Sequence, residues 1–230
     1  MPKLYIHTGR STVLLTVFAL LASTTIALAK PVNITDLNAH VAEAPAIRNV
    51  VAQGIMRTIG PDTFKPDALT TRAELAASVQ HMFNLRRPAN LANFPDIPPN
   101  SPLYSSVEAV APFLGRQTLC FGCALISNFL PNEPVSRIES AVLLTNVLIA
   151  QKKFSLLSEA ESEPVLIGIE DAKTFRGPLR VYVATAIHNG VLPLTAPHRL
   201  DPTLHTRAQT AVLLNNLQER FNLQKVEPGD

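Results

Sequence analysis

Tryptophan is absent from this 230-residue chain, glycine occurs only 9 times, and cysteine only twice. Charged residues make up 17% of the sequence. Each shortage excludes something. Two cysteines cannot form a four-ligand zinc site alone. The six histidines, at positions 7, 40, 81, 188, 198 and 205, include no pair with the H-x-x-x-H spacing of a helical metal site. No G-x-S-x-G elbow, P-loop or dinucleotide-binding glycine fingerprint is present. After residue 29 no apolar run is long enough to cross a bilayer as a helix. An enzyme, a metalloprotein and a polytopic membrane protein are therefore all poorly supported, and the expected cofactor and metal content is none.

Nor is there an excess of one charge. The formal net charge is +2, from 20 Lys+Arg against 18 Asp+Glu. Lys3 and Arg10 are the only charged residues before position 30, so 18 of each sign remain from Lys30 onward. A nucleic-acid partner would want a basic footprint, which this balance does not provide.

What is present begins with residues 1–29, which read as a secretory signal peptide. A basic start is followed by the apolar TVLLTVFALLA (Thr12 to Ala22) and by small residues, Ala27 to Ala29, before Lys30. Export is expected, with no membrane span once the signal is cleaved. Cys120 and Cys123 then lie in an oxidising setting. A local disulfide or inert thiols, a redox pair and a metal site remain as readings, the first favoured.

The rest of the chain repeats itself. TFKPDALTTRAELAASV (Thr63 to Val79), NFLPNEPVSRIESAVLL (Asn128 to Leu144) and HRLDPTLHTRAQTAVLL (His198 to Leu214) each pass from a proline-containing loop into a helix that opens on an arginine. An aspartate, Asp36, Asp96 or Asp171, precedes each arginine by 36 or 41 residues. Between them lie the helix-periodic segments Ala44 to Met56, Leu103 to Leu114 and Val181 to Leu192. Gly54 and Gly190 sit near the ends of the first and third of these, as helix-stopping caps do. Two short helices cannot bury their apolar stripes alone, but three such pairs packed together can. The expected fold is all-α: three tandem helix–loop–helix units at 30–88, 89–152 and 166–222, packed with pseudo-threefold symmetry. The acidic 153–165 reads as a linker and 223–230 as a frayed tail.

Thr71 with Glu74, Ser136 with Glu139, and Thr206 with Gln209 have the spacing of capping boxes, in which each side chain satisfies the other's backbone N–H. That accounts for two positions of each motif but not for Arg72, Arg137 and Arg207. Arginine in a first turn opposes the helix dipole and costs a few tenths of a kcal/mol. Two readings stay open. Each arginine pairs with an acid, Asp36, Asp96 and Asp171 being the candidates, or each joins its helix N-terminus to form an anion site.

These motifs resemble S-layer homology repeats, which run from an F-x-D opening through a glycine loop to T-R-A-E. FPDIPPNSPLYSSVEAV (Phe94 to Val110), GIMRTIGPDTFKPDALTTRAELA (Gly54 to Ala76), and YVATAIHNGVL (Tyr182 to Leu192) with LDPTLHTRAQTA (Leu200 to Ala211) carry the resemblance. It implies a non-catalytic protein of the cell envelope that binds secondary cell-wall polysaccharide, or another peptidoglycan-linked acidic glycan, often pyruvylated. The arginines would contact the glycan in grooves between repeats. By resemblance the glycan-binding set is Arg72, Arg137, Arg207, Thr71, Glu74, Gly60, Tyr104 and Tyr182. The family's early tryptophan is missing, with Tyr104 and Tyr182 in its place in the second and third units. The alternative is a periplasmic or surface scaffold that uses the fold to contact an envelope protein, and a thiol–disulfide enzyme is a third reading.

Overall fold

The computed structural model describes residues 33–88, 94–114, 128–196, 198–200 and 203–223. The expected signal segment, the Cys120–Cys123 pair and the tail beyond 223 lie outside the described residues. Among those described, the protein is all-α, with isolated β-bridges in place of strands. The helices are α1 (Ala44–Ala52), α2 (Arg72–Met82), α3 (Tyr104–Val110), α4 (Arg137–Ala150), α5 (Glu159–Leu166), α6 (Pro178–His188) and α7 (Arg207–Arg220). Short 3-10 turns follow α3 at Ala111–Phe113 and precede α6 at Glu170–Thr174. No helix among the described residues is long and apolar enough to cross a membrane.

All three arginine motifs start helices, and all three capping boxes form with both bonds made. Such caps contribute about 1 kcal/mol each. Gly54 and Gly190 follow the ends of α1 and α6 at φ +70°, a left-handed conformation that costs glycine nothing.

α5 packs on the adjacent α6, whereas the other main helix pairs join different stretches of sequence. α3 packs on α2, α6 on α4, and α1 on α7. The first helix of each expected unit thus lies against the second helix of the unit before it, and the last such contact joins the two ends of the described chain. The α1–α7 seam is tied by amides. Asn49 Nδ2 donates to Asn215 Oδ1 at 2.6 Å, and Gln53 and Gln218 bond each other both ways, at 3.1 and 2.5 Å. One connected apolar core runs through all of this, with Phe64, Ile47, Phe129, Leu144, Leu148 and Leu214 among its fully buried side chains.

The region 153–165 differs from its expected role as a linker, because α5 starts inside it. The Ser158–Glu161 capping box opens this helix, and Arg180 grips Glu163 through two 2.8 Å bonds. A third Arg180 bond goes to Ala172 O at 2.8 Å. A local cap, the Arg180–Glu163 ion pair and the packing of buried Ser162 and Leu166 on α6 together hold a helix that Pro164 disfavours.

The repeated aspartates hold loops. Asp36 accepts from the backbone N–H of Phe64 (3.0 Å) and Lys65 (2.7 Å). Asp96 accepts from Phe129 (2.7 Å) and Leu130 (2.8 Å). Asp171 accepts from Leu200 at 3.0 Å. Lys65 and Leu130 sit at φ +56° and +57°, a conformation that costs a non-glycine residue about 1–2 kcal/mol. Charge-assisted bonds of this kind offset that strain. Burial pushes the Asp36 carboxyl upward, but the N–H groups of Phe64 and Lys65 and the charge of His40 outweigh it and hold the group below its ordinary range. Replacing Asp96 with Ala leaves two loop N–H groups without their acceptor. Urea unfolding should show a loss of about 2–4 kcal/mol, against about zero for an exposed acid such as Glu170→Ala.

Candidate functional site

The site grows out of the loop that precedes each arginine helix. Three residues from these loops bond one another in a closed ring. Thr70 N donates to His205 O (2.8 Å), His205 N to Val135 O (3.0 Å), and Val135 N to Thr70 O (2.9 Å). Around this ring each helix start receives carbonyls from a neighbouring loop. Arg72 N bonds Glu133 O (2.9 Å), Arg137 N bonds Thr203 O (3.0 Å), and Arg207 N bonds Ala68 O (2.8 Å). Helix N-termini that would otherwise need water are thereby satisfied by protein.

The arginine side chains follow the same directed order. Arg72 Nε donates to Phe129 O and its Nη1 to Glu139 Oε1, both at 2.7 Å. Its guanidinium lies 5.3 Å from the centre of the Phe129 ring. Arg207 Nε donates to Phe64 O at 2.8 Å, its Nη2 to Arg57 O at 2.6 Å, and its Nη1 to Glu74. The Phe64 ring lies 4.5 Å beneath it. Arg137 Nη2 donates to Pro193 O at 2.5 Å. Arg207 is 2% exposed and Arg137 7%. Burial pushes the Arg207 guanidinium below its ordinary value, and Glu74 pulls it back up; an arginine stays charged in either case.

The acid partners are therefore not the expected aspartates, which are occupied with backbone N–H groups. They are the capping-box glutamates of a different stretch. Glu74 takes the Thr71 N–H on Oε2 (2.9 Å) and Arg207 on Oε1. Glu139 takes the Ser136 N–H on Oε2 (2.9 Å) and Arg72 on Oε1. In the third motif Gln209 Oε1 accepts from Thr206 N at 3.0 Å, so the cap survives with an amide where the others have a carboxylate.

Grooves open beside these corners. One, a cavity of about 190 Å³, is lined by the Gly54–Ile59 loop, Glu74, His81, Ser106 and Arg207. Another, of about 380 Å³, is lined by Gly190–Pro193, Arg137, His205, Gln209, Glu43 and Arg220. Arg72, Phe129 and Glu139 line a smaller apolar hollow with Leu114 and Leu143. Each of the two larger grooves thus joins an arginine helix start to the glycine-capped loop of another stretch. Of the other expected residues, Thr71 caps α2 and Gly60 lies beside Thr63 in the loop. Tyr104 opens α3 under the Arg87 guanidinium, and Tyr182 is half-buried on α6. None of these four lines a described groove. Among the described residues no cluster of His, Cys, Asp or Glu could hold a metal ion.

Sequence reasoning missed the second role of Glu74 and Glu139, the rings under the arginines, and His205. The available signal was the phenylalanine eight residues before Arg72 and Arg137. It could not show that Arg72 and Arg207 each stack on another stretch's ring.

With this geometry in place, the comparisons can be set beside it. Residues 33–76 match the S-layer homology domain. That match covers the Asp36 loop anchor, α1, the Gly54 loop, and the Thr71–Glu74 cap with Arg72. The chain is also similar to the surface-layer 125 kDa protein of Lysinibacillus sphaericus, at 25% identity over 175 residues. The aligned part is 76% of this chain and 14% of that protein, so the chain spans about a seventh of its relative's length.

Two outcomes follow from the ring and its arginines. Arg207→Ala removes a buried guanidinium with its bonds to Phe64 O, Arg57 O and the partly exposed Glu74 carboxylate. It should cost about 2–4 kcal/mol, and a double-mutant cycle with Glu74→Gln should show coupling by urea unfolding. The second concerns His205, whose imidazole burial and the Arg137 charge hold neutral down to about 4. A folded-state value below the unfolded one contributes stability that is complete above about pH 6.5 and is lost as pH falls towards 4. The contribution is roughly 3 kcal/mol. Wild type should lose stability over that window relative to His205→Leu, as measured by denaturant midpoints at pH 7.5 and 4.5.

Proposed function

We propose that the protein is an exported, non-catalytic component of the cell envelope, built from three S-layer-homology-type repeats. It anchors by holding an acidic wall polysaccharide, such as a pyruvylated one, in the grooves beside Arg207 and Arg137, with Arg72 marking the third. The observation that carries this reading is the repeated construction of the grooves. Twice, a buried arginine at a helix start meets a loop that follows a glycine cap, Gly54 to Arg57 in one case and Gly190 to Pro193 in the other. A buried guanidinium in a partly desolvated groove is strongly attractive to a carboxylate. Arg207 uses three of its five N–H groups on protein acceptors, which leaves donors for a ligand. The domain match at 33–76 and the surface-layer relative support an anchoring role at the envelope.

The test is co-sedimentation with polysaccharide-bearing peptidoglycan, against the same sacculi stripped of the polymer. The protein should pellet only with the polymer. Arg137→Gln, checked for folding by its unfolding midpoint, should weaken pelleting at least tenfold. A folded wild type that does not pellet would defeat the reading and turn the search to an envelope protein as partner.

A further inference from the structure

The two larger grooves differ at one corner. Beside Arg207, Glu74 places a carboxylate oxygen on the guanidinium. Beside Arg137 the corresponding position is Gln209, whose oxygen is committed to its own cap, so the corner presents an amide N–H₂. Next to it stands His205, 4% exposed, with its Nδ1 making no hydrogen bond. The charged groups that line this groove with His205 are Arg137 from α4, Arg220 from α7 and Glu43 ahead of α1, and Arg137 is the one whose charge acts on the imidazole.

We infer that the groove beside Arg137 is the one that takes the acidic group of the polymer, and that His205 in its wall takes up a proton as that group binds. The inference rests on the anchoring function proposed above and narrows it to one groove. The backbone ring fixes the main chain of His205, and burial at 4% exposure confines its imidazole to the groove wall. With the groove empty, burial and Arg137 disfavour a charge on the ring. An anion seated on Arg137 cancels that repulsion and supplies an acceptor for an imidazolium N–H. The acquired proton comes from solvent. By linkage, an anion that favours protonation of His205 must itself bind more tightly as the pH falls. Beside Arg207 the Glu74 carboxylate already occupies the corner, and His81 bonds the Gln53 carbonyl instead, at 3.0 Å.

The experiment measures pelleting of the full chain with polymer-bearing sacculi at pH 7.5 and 5.5, for wild type, His205→Asn and His205→Gln. Alongside it, the His205 ring resonances are titrated by NMR with and without soluble polymer released from the sacculi. Wild type should bind at least threefold more tightly at pH 5.5, and both variants should lose most of that gain. Saturating polymer should raise the His205 midpoint by about two pH units, which corresponds to a hundredfold limit in affinity. Equal gains in the variants, or an unmoved midpoint, would overturn the inference while pelleting at pH 7.5 still upheld the anchoring role. Absence of polymer-dependent pelleting at both pH values would overturn both.

Discussion

The rest of the structure hangs on three backbone hydrogen bonds that close on one another, Thr70 to His205, His205 to Val135, and Val135 to Thr70. Each joins residues far apart in sequence, so none can form locally. Once closed, the ring fixes three loops at the same time. Those loops supply the carbonyls that cap α2, α4 and α7, and the aspartates fix the loops from the other side. A helix N-terminus normally leaves four N–H groups unsatisfied. Here a neighbouring stretch satisfies several of them, so the start of each helix depends on the folding of another part of the chain. The helix packing has the same character, since α1 rests on α7, α3 on α2, and α6 on α4. Local helix propensity cannot be separated from tertiary closure in such an arrangement.

The arginines show how a locally unfavourable residue becomes favourable in the assembled fold. In an isolated helix a first-turn arginine opposes the dipole. In the ring its guanidinium meets a carboxylate that is already ordered by a capping box, a carbonyl that is already fixed, and an aromatic face. Little side-chain freedom is left to lose on pairing, because the capping bond has already ordered the glutamate. Desolvation usually offsets much of a buried ion pair's attraction. The additional bonds to Phe64 O and Arg57 O, and the ring beneath, are what make the burial of Arg207 tenable. Arg72 and Arg207 thus serve the scaffold while also lining cavities, so the two readings open at the level of sequence are compatible in one residue.

Much of the fold was legible in the sequence because it is written in local chemistry. The capping boxes, the arginine as first helical residue, the glycine stops at 54 and 190 and the apolar faces of α2 and α4 all depend on neighbours within a turn or two. The pairing was not legible. Asp36 lies 36 residues before Arg72, and that spacing suggested an ion pair, yet the carboxylate serves the backbone N–H groups that the strained Lys65 loop would otherwise leave open. The partner of Arg72 sits 67 residues downstream and that of Arg207 sits 133 upstream, separations that no local pattern encodes. α5 was hidden for a different reason: its support is a long-range fork from Arg180, whereas the acidic composition and Pro164 speak for a loop.

The ring is built from backbone groups, so its three places accept different side chains, Thr70, Val135 and His205, without losing its bonds. The side chains that hold the loops and caps are under a stricter constraint. Altering an aspartate releases a strained loop. The second oxygen of the capping glutamate is under a weaker constraint, because a glutamine keeps the cap with its carbonyl oxygen, as Gln209 does towards Thr206 N. Replacing the carboxylate with an amide there leaves the scaffold intact and changes only the charge at the corner of one groove. His205, the ring member beside that corner, is the titratable one, where Thr70 and Val135 occupy the equivalent places. The differences among the three stretches therefore gather at the groove beside Arg137, where the fold can accommodate them at least cost and where a ligand would meet them first.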